Sequence, residues 1–167
     1  MAYMLELAET ADFNPLDAVE DFADANEWPS ERSSNDELSI GVAGKWCDFH
    51  LWISWRAEIN ALHFACVFDL KVPAERQSAL HGLLVLANER LSLGHFDLWR
   101  DEELILFRHA LLLGRDGAVQ PDQVEALFDI AFTECERFYP AVQYVLWGGK
   151  SADEAAEAAM MDCVGEA

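Results

Sequence analysis

Basic residues are scarce in this sequence: 11 Lys and Arg stand against 31 Asp and Glu, a formal charge of −20. A field of that sign repels phosphate backbones and anionic membranes, so nucleic-acid binding and membrane-surface docking are disfavoured. It keeps a small protein dispersed and suits a basic or aggregation-prone protein partner. Cysteine is scarce too, and the four present (Cys47, Cys66, Cys135, Cys163) show no CxxC spacing. The start of the chain, MAYMLELAETADF, has neither a basic region nor a long apolar run, so it does not read as a secretion signal. No stretch approaches the ~20 apolar residues that a membrane-crossing helix needs. Free thiols in a reducing cytoplasm are therefore expected.

Apolar residues are plentiful: 52% of the chain is hydrophobic and 11% aromatic, with six tryptophans. A chain of 167 residues can bury about 70% of its unfolded surface, enough to hold a core without metals or disulfides. Residues 1–13 are weakly patterned and read as a flexible N-terminus. Asn14-Pro15-Leu16-Asp17 reads as a helix start, with an N-cap, a proline at the first helical position and an acid in the first turn. The stretch 30–36 is turn-rich.

The next segment carries a period of two, three times over. Leu38, Ile40 and Val42 alternate, then Phe49, Leu51, Ile53 and Trp55, then Leu62, Phe64, Cys66, Phe68 and Leu70. Two-residue turns at Gly44-Lys45 and Ala57-Glu58 set Ile40 opposite Phe49 and Leu51 opposite Phe64, with every apolar set on one face. A one-residue slip would turn a whole strand over. A helix follows from Pro73 to about Leu91, its stripe of Leu80, Leu83, Leu84, Ala87 and Leu91 covering the sheet. Gly94 breaks the chain, and a hairpin around Asp101-Glu102 pairs Trp99 with Leu104 and Phe96 with Phe107. The last long helix opens at Gln120-Pro121-Asp122, with a kink expected near Glu136 because Pro140 lies inside it. Gly148-Gly149 ends it, and Ser151 with Glu154 forms a capping box for an alanine-rich terminal helix. The expected fold is α+β: an antiparallel sheet of about five strands in the order α-βββ-α-ββ-α, with a C-terminal helical tail. The chain divides into the N-terminus 1–13, one domain over 14–150, and the tail 151–167.

Several strings in this order resemble the bacterial YbjN-like family: Asn14-Pro15-Leu16-Asp17, Arg32-Ser33-Ser34, Leu93-Gly94-His95-Phe96-Asp97-Leu98-Trp99, Phe107-Arg108-His109, Glu136-Arg137-Phe138-Tyr139-Pro140 and Trp147-Gly148-Gly149-Lys150. The resemblance implies a fold like the type III secretion chaperones, often dimeric, under the label of bacterial sensory transduction regulator. It brings no enzyme activity, catalytic residue or cofactor. A shared fold does not by itself make the chain a secretion chaperone.

Motifs that suggest chemistry have simpler readings. Gly149-Lys150-Ser151 lacks the P-loop's first glycine, that position being Tyr144, and follows a helix where a strand is required. His63, read as facing Trp52, with His50 diagonal to it and Asp48 or Asp69 near, is the only zinc-like grouping, and a His–Trp packing pair explains it better. Cys47 and Cys66 point into the core, where a nucleophile would be sealed off. Glu134 and Glu136, with Asp122, Glu125 and Asp129, read as the solvated face of a helix. The sheet's second face is the surface of interest. Its mixed aromatic and charged composition suits a partner interface built on Trp52, His50, His63, Trp99, Asp97 and Arg108, unless a helix covers it. The expectation is a non-enzymatic protein-binding adaptor or regulator, homodimeric, with an unidentified protein partner and no metal or other cofactor. The alternative is a small-ligand sensor using the aromatic face or a pocket under the kinked helix.

Overall fold

In the computed structural model, described over residues 13–114 and 117–161, the side chain of Asn14 accepts the Leu16 N–H and starts helix α1 (Pro15–Ala25). The expectations for the N-terminus and Cys163 fall outside the described residues. After Trp28-Pro29 the chain enters a six-stranded, wholly antiparallel sheet: β1 (Ser30–Ser34), β2 (Glu37–Ala43), β3 (Asp48–Arg56), β4 (Ala61–Lys71), β5 (His95–Trp99) and β6 (Leu104–Leu112). The spatial order is β1-β2-β3-β4-β6-β5. The α+β class holds, with six strands where five were expected. The added strand is β1, sequence SERSS, which has no apolar alternation because it is a polar sheet edge.

Both turns of the β2–β3–β4 meander are longer than the two residues expected. Val42 faces Phe49 and Ile40 faces Leu51, while Ile53 faces Phe64 and Leu51 faces Cys66. Each register is displaced by two residues, so the apolar face is the expected one but the neighbours are not. The physical cause lies in the turns. Gly44 N–H reaches the Cys47 carbonyl across the first, and the second folds as a single 3₁₀ turn (Ala57–Ile59) closed by Asn60 at φ +49°. The β5–β6 hairpin has the expected register, Trp99 with Leu104 and Phe96 with Phe107.

Helix α2 (Ala74–Asn88) joins β4 to β5, α3 (Pro121–Leu146) follows β6, and α4 (Ala152–Met161) follows α3. The helical cover is shared among these elements. Helix α1 lies against β1, β2 and β3, α2 against β5, and α3 against β6. Aromatic contacts join the layers: Phe128 meets Phe64, Phe22 and Trp28, Phe138 stacks on Phe96, and Tyr139 meets Phe68. Helix α3 is continuous through Pro140. Trp147 and Gly148 N–H groups return to the Gln143 carbonyl, and Gly149 at φ +64° ends the run. Ser151 and Glu154 then exchange the two hydrogen bonds of a capping box. Helix α4 packs against α2 and α3 through buried Ala155, Ala156 and Ala159. Small side chains permit that approach: a Cβ added at Gly82 on α2 would sit 3.2 Å from that of Ala152.

Candidate functional site on the open face of the sheet

Strand alternation sends Leu38, Ile40, Phe49, Leu51, Phe64, Cys66 and Phe107 into the core under the helices. Among the described residues no helical residue lines either of two depressions on the other face. The registers arrange it as a grid. Glu37, Ser54, His63 and Ala110 form one row, and Ser39, Trp52, Ala65, Arg108 and His95 the next. Gly41, His50, Val67, Leu106 and Asp97 form the third, and Trp99 pairs with Leu104 beyond it.

Trp52 on β3 and Trp99 on β5 are separated by β4 and β6, yet their rings stack with centroids 5.5 Å apart. The registers place them in the rows on either side of Val67 and Leu106, which are buried, 2% and 0% exposed. The stacked pair forms one wall of a cleft of about 490 Å³. Ser54, His63, Ala65, Glu37 and Ser33 also line it, and Arg56 and Arg108 bring positive charge. Arg108 donates to Asp97 at 3.2 Å, a half-exposed ion pair that aims the guanidinium. Arg56 has no ion pair among the described residues.

Four of the six expected site residues line this cleft together: Trp52, His63, Trp99 and Arg108. Asp97 stands behind Arg108. His50 lies on the other side of Trp52, in a shallower depression with Glu31 and Gly41 towards β1. His63 faces Ser54, not Trp52, and His50 faces Val67, four residues along from His63 on β4. The two-residue register displacement therefore separates the histidines that suggested zinc. Arg56 and Ser54 were absent from the expected site, although both share the strand parity of Trp52.

The buried side carries little that could do chemistry. Burial pushes the Cys47 thiol up to about 11 and also holds the Cys135 thiol well above its ordinary value, which keeps both protonated at neutral pH. Glu136 departs from the expected solvated face. Its Oε1 accepts the Lys45 N–H at 2.6 Å, tying α3 to the β2–β3 turn, and its Oε2 is buried with no hydrogen-bond partner among the described residues. Gly149-Lys150-Ser151 follows a helix and supplies the N-cap of the next.

A family model matches residues 15–144, the whole sheet with α1, α2 and all but the end of α3. The chain belongs to the YbjN family. The family's description is "Putative bacterial sensory transduction regulator", which at family level supports a regulatory or adaptor role. The YbjN match contains every residue of the open face named above. No curated protein matches the chain. Among the described residues no helix is long and apolar enough to cross a membrane.

Proposed function

We propose that this YbjN-family chain is a non-enzymatic adaptor or regulatory protein of the bacterial cytoplasm that binds a protein partner through the open face of its sheet. The observation that carries the reading is the Trp52–Trp99 stack. Two aromatic side chains with polar neighbours line a cleft with charged residues, to which no helix contributes among the described residues. Large aromatics flanked by arginine are the residues that dominate protein interfaces. The family description supports a regulator, and a homodimer with a secretion-chaperone-like architecture is compatible with it.

The test is capture of partners from the source lysate by the tagged parent and by the Trp52→Ala/Trp99→Ala variant, followed by calorimetry with the purified partner. The expected result is a specific protein held by the parent and lost by a variant whose circular dichroism is unchanged. Equal capture by both would overturn the assignment of this face.

The volume of the cleft favours a second reading. About 490 Å³ lies within the roughly 300–1,000 Å³ of small-molecule sites, so a ligand-sensing regulator would use the same walls. A ligand specific to the native state raises the unfolding temperature by mass action, and a metabolite screen by thermal shift separates the two.

A further inference from the structure

Charge is unevenly distributed over this chain. Helix α1, PLDAVEDFADA, carries four acids and no base; α4 carries three acids and no base; α3 carries five acids against Arg137. The cleft on the opposite side of the sheet is richer in donors, with Arg56, Arg108 and the His63 imidazole in a lining whose acid is Glu37, and with Asp97 paired to Arg108. Glu37 is held at the rim by the Ser33 hydroxyl. In a chain with 31 acids and 11 bases, an arginine with no ion pair among the described residues, lining the same cleft as an arginine aimed by Asp97, makes a local concentration of donors for an anion. The Trp52–Trp99 wall adds an apolar surface next to those donors.

We propose that the cleft takes an acidic peptide segment of the partner, with a carboxylate against Arg56, His63 and Arg108 and a neighbouring apolar or aromatic side chain on the Trp52–Trp99 pair. This rests on the partner-binding reading above and names the chemistry of what binds. A basic segment, which the net charge alone would favour, meets two guanidinium groups here and is drawn to the helical layer instead. A nucleic acid is repelled by the whole field over many charges, whereas a short segment places one or two carboxylates inside a local positive site. Screening sets the expected salt response. The Debye length falls from about 30 Å at 0.01 M to about 10 Å at 0.1 M. Over that range the distant helical acids fade while contacts within the cleft persist. Affinity for an acidic segment therefore holds or rises with added salt, opposite to the fall expected for a basic one.

The experiment pans a displayed library of random peptides on the full chain, on Arg56→Glu/Arg108→Gln and on Trp52→Ala/Trp99→Ala, each first shown folded by circular dichroism. Synthetic peptides from the parent's selection are then titrated at low and moderate salt. The expected result is enrichment of Asp or Glu beside Phe, Trp, Tyr or Leu. Binding should weaken about tenfold or more in the arginine variant, as loss of charge-assisted hydrogen bonds implies, and be retained by Arg56→Lys. Enrichment of Lys- or Arg-rich peptides, acidic peptides that bind the arginine variant equally, or no enrichment would each overturn the proposal. The failures are distinguishable: a lysate partner lost in the tryptophan variant, with no acidic selection, removes the cleft chemistry and leaves the adaptor reading standing.

Discussion

The rings of Trp52 and Trp99 stack at 5.5 Å with their planes 29° apart, although two strands separate their backbones. Tryptophans three strands apart can meet only by lying down along the sheet, and the row between theirs holds the buried Val67 and Leu106. Small residues make room for this posture: Ala65 sits beside Trp52 in its row, and Ser54 lines the cleft towards Arg56. A patch that would otherwise expose aliphatic side chains becomes a rigid aromatic wall beside a polar trough. That links an element of stability to the surface proposed for function.

A double-mutant cycle should detect this coupling. Trp52→Ala and Trp99→Ala each uncover part of Val67 and Leu106, with an expected cost of about 1–3 kcal/mol in urea unfolding. Stacked aromatic pairs are worth about 0.5–1.5 kcal/mol beyond area, so the double variant should lose less than the sum of the singles by that amount. Strict additivity would mean that the two rings do not stabilise one another.

Gly94 and Gly149 both have positive φ, +70° and +64°, yet substitution should separate them sharply. A Cβ at Gly94 would enter the Phe107 ring and lie 2.8 Å from the Arg108 carbonyl oxygen, whereas at Gly149 nothing lies within 4 Å. Gly149→Ala should cost only the left-handed backbone penalty of about 1–2 kcal/mol. Gly94→Ala adds overpacking of a further 1–3 kcal/mol or so, with β5 displaced from β6. Equal melting temperatures for the two variants would contradict this packing.

These two glycines also show what the sequence made legible. Gly94 and Gly149 marked element ends because φ above zero is a local property of the chain. The face of each strand was equally legible, since alternation fixes it and a displacement of two residues leaves it unchanged. Distance along the strand was not, because it depends on whether a turn closes over two residues or four. Asn60 in the left-handed region and the Gly44–Cys47 hydrogen bond decide that without an apolar signature. The His63–Trp52 pairing failed for that reason, and the Trp52–Trp99 stack was hidden because it spans non-adjacent strands. Strand β1 lacked a pattern because neither of its faces is continuously buried.

Asn88 protects the outer edge of β5. Its amide accepts the Phe96 N–H at 2.7 Å and donates to the Phe96 carbonyl at 3.0 Å, taking the place of a seventh strand. The Leu98 N–H is met by the Asp97 side chain. Asn88→Ala leaves two part-buried backbone groups unpaired, an expected loss of about 1–3 kcal/mol, and opens an edge to strand addition. Asn88→Asp can still accept the N–H but cannot donate, so its loss should be intermediate. Light scattering during partial unfolding should rank aggregation as Asn88→Ala above Asn88→Asp above the parent.

Cys47 makes stability depend on pH in the alkaline range. Burial holds its thiol near 11 in the folded chain, despite the opposing hydrogen bond from the Asp69 backbone; an unfolded thiol titrates near about 8.5. The raised value means that the unfolded chain loses its proton first. The contribution to stability is therefore complete below about pH 8.5 and declines as pH climbs towards 11. Cys135 and Tyr139 are also raised by burial and add to the same slope. The difference between the parent and Cys47→Ala, measured as the urea midpoint from pH 7 to 11, isolates the Cys47 share and should shrink steadily above pH 8.5. Iodoacetamide provides the independent measurement, because it reacts with the thiolate. Its rate at Cys47 should keep rising beyond pH 9 in the folded protein and level off only near 11. A plateau at pH 8 or below would mean an activated thiol on the β2–β3 turn, and the non-enzymatic reading of the chain would have to be given up at that residue.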